Sequence, residues 1–157
     1  CEMRSFTVIH VGDFKEEYFA CAEAEYIRRI KPFADYKTVC VREESTFDGS
    51  EKNIARALER EAAEIRRHIP RRAMTVALCI EGTQITSPGL AEMLSDESRP
   101  VCFIIGSSHG LDPALKNECG QRISMSRMTF THMLARVMLA EQVYRAITII
   151  NGKKYHK

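Results

Sequence analysis

Two apolar runs constrain the fold of this chain more than any other feature: MTVALCI, from Met74 to Ile80, and VCFII, from Val101 to Ile105. A strand with one wet face alternates polar and apolar side chains. A run without that alternation has to be covered on both faces. Such strands are typical of parallel sheets with helices above and below.

The remaining segments fit that architecture. FTVIHV (Phe6 to Val11) and KTVCV (Lys37 to Val41) read as further strands, and QRISMS (Gln121 to Ser126) as a fifth. Between them lie helical stretches. Lys15 to Ile30 carries Tyr18, Ala22, Tyr26 and Ile30 at steps of four. A second helix runs from the N-cap Ser50 to the breaker Pro70. A third starts with Ser87 as cap and Pro88 first, and a short one with Asp112 as cap and Pro113 first. The last runs from about Thr131 to Ile150. No repeat or low-complexity linker interrupts the alternation, so residues 1–157 read as one α/β domain with a largely parallel sheet.

The last helix is apolar nearly all round. Its polar side chains form two narrow stripes, His132 with Arg136 on one side and Glu141, Arg145 and Thr148 on nearly the opposite side. Such a helix needs cover nearly all round. One small sheet covers one side, so a second subunit is the expected partner for the other. Glu141 and Arg145 are four apart and can pair.

Composition excludes several classes. No apolar run approaches the ~20 residues that span a bilayer, and the N-terminal stretch lacks a secretory apolar core. A cytoplasmic protein with no membrane contact is expected. The six cysteines include no C-x-x-C pair, and no His/Cys/Asp group has metal-ligand spacing, so no metal is expected. Cys40, Cys79 and Cys102 lie in strand-like runs and are expected to be buried. His10 and His68 are expected to be structural or solvated. Charge is unevenly spread. From Gln121 onward seven Lys/Arg face one acid, whereas the remainder has 16 bases against 20 acids. A basic last quarter on an acidic body points to a polyanionic partner.

The loop after the fourth strand, IIGSSHGLDP, contains G-x-S-x-G with Ser108 in the nucleophile position, followed in order by Glu141 and His156. The helix signal at Asp112 comes too late for a nucleophile elbow, and no second oxyanion donor is apparent. No Walker A or G-x-G-x-x-G pattern is present, which disfavours a phosphate cradle. A two-glycine loop at a strand end is either a tight turn or a place where backbone groups read a ligand's edge.

The motifs FIIGSSHGL, SMSRMTFTH, EQVYRA and terminal YHK, with VGDFKEEY and LCIEG nearer the start, together resemble the RlmH family. These are SPOUT-superfamily enzymes that methylate N3 of a pseudouridine in bacterial large-subunit (23S) ribosomal RNA. The resemblance covers essentially the whole chain. It implies a parallel sheet with a C-terminal trefoil knot, a homodimer, S-adenosylmethionine as cofactor and the ribosome as substrate. By position it implies that Leu78, Gly106, Met125, Ser126, Arg127, Met128, Thr129 and Phe130 bind the cofactor. It implies catalytic roles for Glu141, Arg145, Tyr155 and His156, with His156 either bonding the base or removing its N3 proton. Arg136, Lys153, Lys154 and Lys157 would contact RNA. Ser107 stands where the family pattern has a second glycine, so its Cβ is expected to narrow the approach to the pocket. Cys79 replaces a frequently acidic residue, and Thr131 a frequent proline. Two rival readings stand beside this one: a cofactor-binding ribosome-associated module without turnover, and a Ser108 hydrolase.

Overall fold

The computed structural model describes residues 3–157; Cys1 lies outside them. Ten elements alternate along the chain: β1 (Arg4–Val11), α1 (Glu17–Ile30), β2 (Ala34–Val41), α2 (Glu51–His68), β3 (Met74–Gln84), α3 (Ser87–Asp96), β4 (Val101–Ile105), α4 (Pro113–Glu118), β5 (Gln121–Ser124) and α5 (His132–Ile150). The strands form one sheet in the order β2-β1-β4-β3-β5, and every pairing is parallel.

The apolar runs sit where their sequence requires. β4 is the middle strand and all five of its residues are buried. Val101, Phe103 and Ile105 face one core, packed by α1, α3 and α5, while Cys102 and Ile104 face the other, packed by α2 and α4. Complete burial of a side chain such as Phe103 contributes about 1.5–3 kcal/mol. Helices therefore cover both faces. Because the strands are parallel, their C-terminal ends share one edge, where α/β proteins usually bind ligands.

Helix starts follow local capping chemistry. Ser50 Oγ accepts from Asn53 N at 3.3 Å, Asp112 Oδ2 from Leu115 N at 3.2 Å, and Thr131 Oγ1 from Leu134 N at 3.2 Å. The cap of α3 is Thr86 rather than Ser87. Its hydroxyl accepts from Gly89 N at 3.0 Å, while Ser87 Oγ instead donates to Gln142 Oε1 of α5.

Three expectations need correction. β3 is not covered throughout: it runs on to Gln84, and Ile80 is 53% exposed. Cys40 is exposed because β2 is an edge strand, whereas Cys102 is buried and its thiol is pushed up to about 12 by that burial. The chain itself also covers more of α5 than one sheet alone would, because α1 and α3 flank it as well. Among the described residues no helix is long and apolar enough to cross a membrane, and no cluster of three or more potential metal ligands occurs.

Candidate active site

At the C-terminal edge of the sheet three chain segments enclose a cavity of about 670 Å³: the end of β3, the loop after β4, and the stretch from β5 into α5.

The wall from β3 is made by a bulge. Leu78 and Thr83 both pair with Ile123 of β5, so Cys79 to Gly82 leave the ladder. Cys79, Ile80 and Glu81 then line the cavity. Glu81 is ion-paired with Lys116 of α4, which holds its carboxyl below the usual range. The bulge depends on Gly82. A Cβ there would lie 2.7 Å from the Ile123 carbonyl carbon and 2.8 Å from that of Arg122, so the two backbones touch where only glycine fits.

The loop after β4 folds back on itself. Gly110 N donates to Ser107 O at 2.9 Å. A Cβ on Gly106 would come within 2.2 Å of Gly110 O, so this glycine permits the turn itself. The loop is a tight turn, and it also lines the cavity. Ser107 lines the cavity as well. It is buried, and its Oγ accepts from His109 N at 3.2 Å inside the turn.

In the third wall Ser124 Oγ donates to Ser126 O at 2.8 Å and Met128 N to Ser126 Oγ at 3.0 Å. Of the eight residues expected to bind a cofactor, Leu78, Gly106, Met125, Ser126, Met128, Thr129 and Phe130 line the cavity. Arg127 does not; its side chain is exposed outside it. His132 and Ala135, from the first turns of α5, complete the lining and were not anticipated, nor was the role of Gly82. A glycine inside an otherwise strand-like run was the available signal for the latter.

A second constellation forms around the C-terminal half of α5. Arg145 donates from Nε to Glu141 Oε1 at 3.0 Å and from Nη2 at 2.5 Å. Tyr155 Oη donates to the same oxygen at 3.1 Å. Arg145 also stacks 4.7 Å from the centre of the Tyr155 ring, which meets Tyr144 edge-on at 4.7 Å. Arg145 Nη1 lies 3.2 Å from His156 Nδ1. A guanidinium only donates, so in this contact Nδ1 is the acceptor. Burial first, and then the bond to Glu141, raise the Tyr155 phenol above its ordinary value, which keeps it protonated. The four residues expected to be catalytic are thus brought together, with Lys153, Lys154 and Lys157 exposed beside them. None of the four lines the cavity. From Ala135 to Arg145 the helix rises about 15 Å.

Arg136 is not available to RNA. It is 6% exposed and bidentate to Glu23 of α1, at 2.5 and 2.8 Å. Asp13 accepts from it at 3.1 Å, and its guanidinium lies 3.9 Å over the Phe14 ring. His10 is buried beside it, and its Nδ1 lies 2.7 Å from Gly12 O. A carbonyl only accepts, so Nδ1 carries a proton, and the 3.3 Å approach of Arg136 Nη1 to that nitrogen is a contact between donors. The hydrolase arrangement is also not assembled. Ser108 is exposed, and the acid and histidine that follow it are engaged with Arg145.

Residues 4–156 match the family model described as "Predicted SPOUT methyltransferase". The chain is 40% identical over 156 residues to the ribosomal RNA large subunit methyltransferase H of Bifidobacterium adolescentis, with 96% of this chain and 98% of that protein aligned. It is 38% identical over 153 residues to the protein of the same name from Caldicellulosiruptor saccharolyticus, again with 96% and 98% covered. Among solved structures, a probable methylase family protein from Haemophilus influenzae superposes with a TM-score of 0.58 at 13% identity, covering 98% of this chain and 71% of that one. A probable methyltransferase from Bordetella pertussis gives 0.56 at 13% identity, covering 92% and 95%. At that identity the likeness concerns the fold alone.

Proposed function

The chain belongs to the SPOUT methyltransferases, in the group of ribosomal RNA large subunit methyltransferase H, and from that premise we propose that it methylates N3 of a pseudouridine in 23S ribosomal RNA, with S-adenosylmethionine as donor. It works as a single-domain, knotted, dimeric enzyme of the cytoplasm, acting on the assembled ribosome and needing no metal. The observation that carries the reading is the cavity at the sheet's C-terminal edge, walled by three looped segments.

The lining suits this cofactor. Leu78, Ile105, Leu111, Met125 and Phe130 supply apolar walls for an adenine, and the backbone of the two loops supplies donors and acceptors for its edge. The cofactor has no phosphate, which agrees with a pocket lacking a phosphate loop. When bound, it supplies an electrophilic methyl group on a sulfonium.

The tail's part is orientation. Glu141 fixes Arg145, and Arg145 and Glu141 together fix Tyr155. Tyr155 offers its ring to the target base. His156, with Nδ1 occupied by Arg145, presents Nε2–H as a donor to a base carbonyl, and the N3 proton is left to water. Lys153, Lys154 and Lys157 contact phosphates. Within one chain the tail cluster lies well along α5 from the cavity. The site is therefore completed across the dimer, one protomer's tail meeting its partner's pocket. The partly exposed Leu134 and Ile85 support that contact: both are apolar, and Ile85 borders a shallow groove between α3 and α5.

Deleting Tyr155 to Lys157 tests the proposal. Cofactor affinity by calorimetry should stay unchanged, while the single-turnover rate of methyl transfer to unmodified ribosomes falls by at least about 100-fold. Equal rates would make the tail a frayed end. Cofactor and ribosome binding without turnover in the intact protein would favour the module reading.

A further inference from the structure

The second sheet face carries a cationic row that the activity just proposed does not use. It begins on α2 with Lys52, Arg56 and Arg60, each four residues from the next and all exposed. It ends in the run Arg66-Arg67-His68-Ile69-Pro70-Arg71-Arg72, with five basic side chains among seven residues. Neighbouring acids neutralise part of that run. Arg66 pairs with Glu118 at 2.9 Å, and Arg67 and His68 with Glu64 at 3.2 and 3.1 Å. Lys52, Arg56, Arg60, Arg71 and Arg72 make no ion pair among the described residues. Asp48, Glu51 and Glu59 are exposed acids alongside, so five free cations still outnumber three acids.

The end of the row is held rigidly. Arg72 has φ +61, a left-handed conformation that costs a non-glycine residue roughly 1–2 kcal/mol. The turn closes with Ala73 N donating to Pro70 O at 3.2 Å. Ile69 and Ala73 on either side pack against the buried cluster under α2. The two arginines are thus fixed on a packed turn, not carried on a loose end. The row also has a defined direction. α2 follows the C-terminal end of β2, so Lys52 lies at the cavity's edge of the sheet. Eighteen residues of helix place Arg71 and Arg72 about 27 Å further on, at the opposite edge.

We propose that this row, Lys52-Arg56-Arg60-Arg71-Arg72, is a second docking surface for ribosomal RNA that binds the phosphate backbone without reading sequence. The inference rests on the ribosomal RNA reading above, and it supplies binding energy away from the reaction. Spaced cations on one helix face suit a polyanion.

The test measures binding to unmodified ribosomes across a salt series, together with methyl-transfer kinetics. One variant is Arg71→Gln with Arg72→Asn, since asparagine tolerates the left-handed backbone. An independent one replaces Lys52, Arg56 and Arg60 with Gln on the exposed helix face, where the fold is not at risk. Each lost phosphate contact lowers the slope of log affinity against log salt by about 0.7–0.9. The double variant should therefore lose about 1.4–1.8 of slope and the triple about 2.1–2.7. The ribosome KM should rise several-fold at moderate salt, with kcat and cofactor affinity unchanged. Unchanged slope and KM in both variants, with the wild type still transferring methyl, would overturn the docking row alone. Lost slope in variants of a protein that transfers no methyl would uphold the row and remove the methyltransferase reading. A fall in kcat at saturating ribosome would overturn the assignment of the row to docking.

Discussion

Arg136 offers the sharpest test of how this chain uses its charges. The family resemblance implies RNA contact for it, whereas its side chain lies buried against an equally buried Glu23, 113 residues away. Removing one member of such a pair leaves an uncompensated charge in the interior, which costs about 3–5 kcal/mol. Asp13 softens this little, because its side chain is 67% exposed. The Phe14 ring under the guanidinium adds roughly 1–2 kcal/mol when the cation is desolvated. Arg136→Met should therefore lower stability by about 4–7 kcal/mol. At about 2–4 °C per kcal/mol for a chain of this size, the thermal midpoint should drop by roughly 8–28 °C. Glu23→Met alone should cost about 3–5 kcal/mol, while the double replacement recovers most of the loss because no charge is left orphaned. Urea unfolding of the four proteins gives the coupling energy directly. A stability change under about 1 kcal/mol for Arg136→Met, with weakened ribosome binding, would return this residue to the RNA surface and refute the reasoning.

Three further outcomes follow from the geometry. Gly82→Ala should destabilise by about 1–3 kcal/mol or more and weaken cofactor binding, because its Cβ meets unyielding backbone. Gly120→Ala, whose Cβ would have only a 3.5 Å contact, serves as the control in the same calorimetry and unfolding runs. The His10 imidazole is held below its ordinary value, by burial first and then by Arg136. The folded state thus disfavours its protonation, so stability is complete above about pH 6.5 and falls as pH drops toward the folded value. His10→Asn should flatten that part of the urea-midpoint curve. Sedimentation should give about twice the 17.9 kDa chain mass. Mixing a tail-deleted protein with a Gly82→Ala protein should raise transfer above what either shows alone, and a persistent monomer would refute the shared site.

The existence and order of the elements were legible because apolar period and capping residues are local signals. Ser50, Asp112 and Thr131 cap the helices as their side chains predict. Properties set by distant partners were not legible. Nothing near Cys40 says that β2 lies at the sheet's edge, and nothing near Arg136 says that Glu23 meets it. The bulge at Gly82 comes from a backbone crossing with β5: a glycine inside a strand-like run signals an irregularity, but the backbone it meets lies about forty residues away. Of the eight residues expected to bind the cofactor, seven line one cavity and Arg127 does not, because a chain wrapping a pocket turns some side chains outward. Segment sums of charge also hid the α2 row, since Glu51, Glu59, Glu61 and Glu64 on the same helix offset it in the count.

The placement of these charges bears on what substrate the protein can accept. The tail lysines follow α5, on the face packed by α1, α3 and α5, whereas the α2 row lies on the opposite face. A helix–sheet–helix sandwich is roughly 20 Å thick between helix axes, taking about 10 Å per packed layer. A short single strand threading the cavity edge has too little length to engage both faces while its base is held in the site. A folded particle presents phosphates at many fixed positions and can meet both at once. A 23S fragment of about ten nucleotides containing the target should thus be methylated far more slowly than intact ribosomes at equal concentration. The difference should lie in KM more than in kcat, because docking contacts made equally in ground and transition states raise affinity without raising turnover. Equal kcat/KM for fragment and particle would mean that recognition is confined to the pocket and tail.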